Sequence, residues 1–145
     1  IGISVFPEDG TEPGVLLKNA DSAMYHAKNS GRNSYQFFTD SLNRAVLERF
    51  SIERDLKKAI VGDELVLFYQ PQIELASRRI VGAEALIRWN HPLKGMMVPG
   101  RFIPIAEESG QIIDINRWVI QKACRQQKQW QAAELPPISI AVNGA

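Results

Sequence analysis

From Ile80 to Trp89 the chain alternates as a strand buried on one side would. Successive side chains of a strand point to opposite faces. Val81, Ala83, Ala85, Ile87 and Trp89 therefore share an apolar face, while Ile80, Gly82, Glu84, Leu86 and Arg88 share the other. A second strand is expected from Ile138 to Asn143, with Ile138, Ile140 and Val142 on one side and Ser139, Ala141 and Asn143 on the other. Leu65 to Tyr69 predicts another strand, ended by Pro71, with Gln70 at its exit on the face of Val66 and Phe68. Leu75 to Arg78 turn the chain into the Glu84 strand, and an irregular loop with Gly95, Met96, Met97 and Pro99 follows His91-Pro92.

Helical spacing appears in four places. Leu16, Leu17, Ala20, Ala23, Met24 and Ala27 predict a helix stopped at Gly31 as its C-cap. Before it, Ile1, Ile3 and Val5 alternate as a strand running into a turn at Phe6–Gly10; after it, Ser34–Phe38 reads as extended chain. Ser41 to Val61 reads as a linking helix with an apolar stripe of Leu42, Val46, Phe50, Leu56 and Ile60. Its other faces are charged, and Glu53 and Lys57 are ordered for a favourable pair. Arg101–Glu108 predicts a short helix closed by Gly110. A longer one runs from Ile112 to about Ala132, with Ile115, Val119, Ile120, Ala123, Cys124 and Trp130 on or near its packed side. Pro136-Pro137 separate it from the last strand.

Strands apolar on the outside, with polar groups gathering at one end inside, suit a parallel α/β barrel wrapped in helices. The carboxyl ends of such strands carry the chemistry, which is where Arg88 and Asn143 fall. Burying Glu84 and Arg88 in an apolar run requires a partner for each. A ligand, a metal or a catalytic site would supply one, and so would the two residues pairing with each other or with barrel neighbours.

Composition narrows this further. With 145 residues there is room for about one average domain. The +1 net charge gives no general attraction to a nucleic-acid polymer or a membrane. Cys124, the single cysteine, excludes an internal disulfide framework and suits a reducing compartment. No apolar run reaches the length of a membrane span and no signal peptide opens the chain. Both ends read as cuts through a longer protein.

Four segments then stand in a telling order: Phe68-Tyr69-Gln70-Pro71-Gln72, Glu84-Ala85-Leu86-Ile87-Arg88-Trp89, Phe102-Ile103-Pro104-Ile105-Ala106-Glu107 and Ala141-Val142-Asn143. Together they resemble the EAL-domain family, the cyclic di-GMP phosphodiesterases. The resemblance implies a catalytic, metal-binding Glu84 with Asn143 as a second ligand of Mg2+ or Mn2+, cations suited to hard oxygen donors. It implies further that Arg88 contacts a phosphate of cyclic di-GMP and that Gln70 lines the ligand cleft. The reaction would be metal-assisted hydrolysis of one phosphodiester bond to the linear dinucleotide pGpG. Each residue also has a plainer reading: Asn143 as a turn or cap residue, Gln70 as a strand-end hydrogen-bond donor. Glu107 and Glu108 read as a solvated helix turn, Cys124 as core, and Trp89, Trp118 and Trp130 as packing residues.

The segment Asn19–Asn33 resembles the end of a GGDEF domain, the cyclic di-GMP synthase module. In that family residues placed like Lys28 and Arg32 contact nucleotide phosphates. Two cations four apart at a helix C-terminus are also explained by dipole compensation alone. His26 reads as a solvated helix residue. The expected organisation is therefore an α+β, nucleotide-cyclase-like GGDEF end over residues 1–38, a linking helix over 39–61, and the first part of an EAL-type, TIM-like (β/α) barrel over 62–145. After Asn143 the family continues with any residue, then Ser and Ala, where this chain has Gly144-Ala145. A full barrel needs roughly 200 residues, and the strands carrying its remaining metal ligands are missing here. On this reading the parent hydrolyses cyclic di-GMP, these residues alone are inactive, and the last strand leaves an edge prone to association. The rivals are a cyclic di-GMP receptor that does not cut its ligand, and a structural fragment whose linking helix forms a homodimer. The resemblance implies a bacterial cytoplasmic setting and leaves room for membrane or sensor domains upstream in the parent.

Overall fold

The computed structural model describes residues 1–31 and 33–144. They form two compact units, Ile1–Ile52 and the residues from Glu53 onward. Among the described residues no helix is long and apolar enough to cross a membrane.

In the first unit β1 (Gly2–Ile3) pairs in parallel with β2 (Gln36–Phe37), and α1 (Pro13–Asn29) packs on them. Proline at the start of α1 lacks only an N–H that no helical carbonyl would accept. The helix buries Asn19, Ala23 and Ala27. It lies so close to β1 that any side chain at Gly2 would collide with the Ala20 carbonyl and the Met24 backbone. The strand expected from Ile1 to Val5 is only two residues long. Asp9 Oδ2 takes the Val5 N–H at 2.6 Å and so diverts the chain into its turn. The α1 C-cap is Ser30 rather than Gly31, which follows it with φ 107°.

Helix α2 (Asp40–Val61) begins where Thr39 Oγ1 accepts the Leu42 N–H at 3.2 Å. Its buried positions are Val46, Ile52, Leu56 and Ala59. Phe50, expected in the apolar stripe, is 48% exposed, with its ring stacked 5.4 Å from Tyr25.

The second unit holds a four-stranded sheet of β3 (Leu65–Ile73), β4 (Ile80–His91), β5 (Gly95–Met97) and β6 (Ser139–Val142). The expected parallel pairing occurs only between β4 and β6; β3 and β5 run antiparallel to β4. The connections decide this. A six-residue link closed by Glu74 N–H to the Arg79 carbonyl at 2.9 Å can make only a hairpin. A parallel return needs a crossover of a dozen or more residues. Helices α3 (Ile103–Ser109) and α4 (Ile112–Ala132) provide that crossover between β5 and β6.

Two further expectations change. β3 does not stop at Pro71, because this strand is paired on one side only and a missing N–H is tolerated there. The supposed loop after His91 is a hairpin: His91 Nδ1 accepts the Leu93 and Lys94 N–H groups at 3.1 and 3.2 Å, and Gly95 takes φ 70°. Met97 is thereby buried while Met96 stays half exposed.

The core lies between the sheet and the helices, around the fully buried Trp89 and Phe102. Gly110, at φ 76°, closes α3 as its left-handed cap. Helix α4 buries Ile115, Val119 and Ala123. Ile120 and Cys124, expected on the packed side, are exposed. Each sits one residue, about 100° of helical rotation, past that four-residue stripe.

Tyr69 meets Trp130 of α4 edge to face at 5.0 Å. Its burial raises the phenol above its ordinary value of 10.0. The folded state therefore keeps this proton where the unfolded chain has released it. The resulting stability is complete below the unfolded pKa and is lost as pH rises through the folded one. Tyr69→Phe is expected to lessen the alkaline fall in unfolding midpoint, read from urea titrations at neutral pH and above pH 10. An unchanged alkaline slope would show that Tyr69 is not responsible for it.

Candidate functional site

Register brings the candidate residues together. Gln70 of β3 pairs with Glu84 of β4, and Glu84 pairs with Ala141 of β6. Directly paired residues point to the same side of a sheet. One face therefore carries Val66, Phe68 and Gln70, then Glu84, Leu86 and Arg88, then Ala141, with Asn143 just beyond β6. The opposite face, with Ala83, Ala85 and Trp89, is the one buried in the core. Helices on one side thus leave the carboxylate side free for chemistry.

Glu84 is half-buried and accepts a hydrogen bond from Asn143 Nδ2 to its Oε1 at 2.8 Å. Two residues 59 apart in sequence are joined this way because β4 and β6 are parallel neighbours. Gly82 belongs to the same close approach: an added Cβ would lie 3.0 Å from Ser139 Oγ and 2.7 Å from Gln72 Oε1. Gln70 is exposed within β3 rather than at its end.

Arg88 does not pair with Glu84 among the described residues. Four residues of extended chain separate them by about 13 Å along β4. Arg88 instead donates from Nη1 to the Ile87 carbonyl at 2.8 Å, and its guanidinium carbon stands 5.8 Å from the Phe68 ring centre. The sequence placed Phe68 on the Gln70 face and in one of the four family segments, but gave it no role at the site. The signal available was an aromatic residue on the same strand face as Gln70.

Glu84 and Asn143 offer hard oxygen donors, and their mutual hydrogen bond engages Glu84 Oε1 and Asn143 Nδ2 rather than Glu84 Oε2 or Asn143 Oδ1. This donor set suits part of a magnesium or manganese shell, which takes few protein ligands and completes itself with water and phosphate oxygens. Among the described residues no three His, Cys, Asp or Glu side chains gather into a metal cluster. A cleft of about 380 Å³ lies on the helix side, lined by Ala85, Ile87, Ile103, Ile115, Val119 and Asn143, among others. Glu84 and Arg88 do not line it, but Leu86 and Asn143 of the polar face border it, and Glu107 and Asn116 add polar groups to its otherwise apolar walls.

In the first unit Lys28 is exposed in the last turn of α1, as dipole compensation alone would place it. Arg32, its expected companion, lies outside the described residues. His26, in the same turn, hydrogen-bonds Ser30 Oγ through Nδ1 at 3.2 Å.

Comparison with known proteins adds the following. Residues 53–144 match the family model described as EAL domain, and residues 1–34 match that of the diguanylate cyclase, GGDEF domain. The bifunctional diguanylate cyclase/cyclic di-GMP phosphodiesterase MucR of Pseudomonas aeruginosa is 44% identical over 143 residues, which are 99% of this chain and 21% of that protein. The chain thus spans about a fifth of the length of the curated relatives it matches. Among solved structures, the PaMucR phosphodiesterase in complex with c-di-GMP superimposes with a TM-score of 0.63 at 40% identity. That match covers 66% of this chain and 38% of that one. The Xanthomonas citri FimX EAL domain in complex with c-di-GMP gives 0.58 at 34% identity, covering 68% and 38%.

Proposed function

The chain belongs to the EAL domain family, and on that premise we propose that it is a piece of a bacterial, cytoplasmic cyclic di-GMP signalling protein whose parent hydrolyses the cyclic dinucleotide to its linear form. Residues 1–38 are the end of the GGDEF domain, 39–61 the linking helix, and the residues from 62 onward the first part of the EAL barrel. The observation that carries this reading is the Glu84–Asn143 hydrogen bond of 2.8 Å, on a strand face shared with Gln70 and Arg88. The match at 1–34 supports a GGDEF end ahead of an EAL part, while the EAL match, 53–144, begins within the last turns of the proposed linking helix.

In this mechanism Glu84 of β4 and Asn143, just beyond β6, would hold Mg2+ or Mn2+. When bound, the cation would supply Lewis acidity and lower the pKa of a water. Arg88 holds a phosphate oxygen of the substrate; its planar fork presents parallel N–H donors suited to that geometry. Gln70, opposite Glu84, lines the cleft and presents an amide to the dinucleotide. These 145 residues contribute two of the metal's protein ligands, so the activity belongs to the parent with its barrel complete.

The test is cyclic di-GMP turnover by the full-length protein with Mg2+ or Mn2+ and with a chelator. Metal-dependent formation of the linear dinucleotide is the expected result. Binding without turnover would make the protein a receptor, and neither binding nor turnover would overturn the reading.

A further inference from the structure

Phe68 is a large aromatic residue on the polar face of the sheet, 51% exposed and opposite Leu86. Its ring centre is 5.8 Å from the Arg88 guanidinium carbon. An aromatic ring attracts a cation through its face, whereas the guanidinium N–H donors radiate from the edge of their own plane. Contact with the ring therefore leaves the edge donors available. One Nη1 hydrogen is spent on the Ile87 carbonyl at 2.8 Å, which ties one arm of the fork to its own strand. A long arginine side chain otherwise loses considerable rotamer freedom when it is fixed on a ligand.

We propose that Phe68 is a positioning residue: it holds the Arg88 guanidinium against its ring so that the free edge meets a phosphodiester oxygen of the cyclic dinucleotide. The proposal rests on the reading of Arg88 as a phosphate contact. Val66, paired with Arg88, is aliphatic and presents no π face. Leu86, opposite Phe68, is aliphatic as well. Phe68 thus supplies the aromatic surface within this cross-strand group.

A double-mutant cycle in the full-length protein tests it, using cyclic di-GMP turnover with Mg2+. Phe68→Leu keeps apolar bulk and removes the ring; it is expected to raise KM about threefold, the scale of an exposed cation–π contact, with kcat and unfolding midpoint little changed. Phe68→Tyr restores the parent KM. In an Arg88→Ala background Phe68→Leu adds nothing further. Equal KM increases in both backgrounds would overturn the proposal and make Phe68 a packing or direct-contact residue. So would an unchanged KM in Phe68→Leu where Arg88→Ala is impaired. If Arg88→Ala itself leaves KM and kcat intact, the phosphate role of Arg88 fails first and the positioning role falls with it.

Discussion

Replacing Glu84 by alanine is expected to lower cyclic di-GMP turnover by the full-length protein more than about 100-fold. Loss of a residue that merely orients a metal ligand costs 10- to 100-fold, and removal of the ligand itself exceeds that. The fold should survive, because the hydrogen bond that Glu84 accepts from Asn143 is exposed and contributes little net stability. Glu84→Gln separates the two roles. Glutamine still accepts from Asn143 but carries no charge, so it should be nearly as inactive as alanine. Full turnover with glutamine would make Glu84 a structural acceptor and sink the metal assignment. Turnover within tenfold of the parent in Glu84→Ala would do the same.

Trp89→Ala should destabilise the second unit by about 3–5 kcal/mol, the range for removing a large aromatic side chain from a core. The ring is fully buried, stands 5.7 Å from Phe102 and 4.9 Å from His91, and donates from Nε1 to Glu64 Oε2 at 2.9 Å. Alanine leaves a cavity and also strips Glu64 of this donor. Trp89→Phe loses the hydrogen bond and part of the volume, so it should cost clearly less. Urea unfolding followed by far-ultraviolet circular dichroism checks both. A loss below about 1 kcal/mol for alanine would contradict the central packing role, since even a modest buried truncation exceeds it.

Periodicity made much of the fold legible before any coordinates. The spacing from Ile112 to Ala132 predicts α4 with the bounds the structure has. Alternation from Ile80 to Trp89 identifies β4 and its two faces. These signals are local: each residue reports the side of its own element that meets the core. Where a residue's environment depends on a distant segment, the signal fails. Gln111, buried, donates from Nε2 to the Glu53 carbonyl at 3.1 Å, 58 residues away. His91 continues the Ala83–Trp89 face by parity, yet the loop signal of Pro92 obscured it; it is buried, with Nε2 3.5 Å from Asp55 Oδ2. Because His91 Nδ1 accepts two backbone N–H groups, the ring proton of a neutral imidazole sits on Nε2, facing that carboxylate.

The sequence by itself determined the main helices and the strands β3, β4 and β6, the two faces of β4, and that Glu84, Arg88 and Gln70 fall on strands with Asn143 at the end of one. The tertiary structure alone decided their partners. Parallel pairing of β4 with β6 sets Asn143 on Glu84, and the antiparallel register of β3 sets Gln70 opposite Glu84 and brings Phe68 beside Arg88. The Glu84–Arg88 pair left open in the sequence is absent among the described residues for a local reason: on β4 the two stand four extended residues apart, where on a helix they would be neighbours. Side-chain polarity is written along the chain, whereas register and strand direction come from connection length and packing between segments that are remote in sequence.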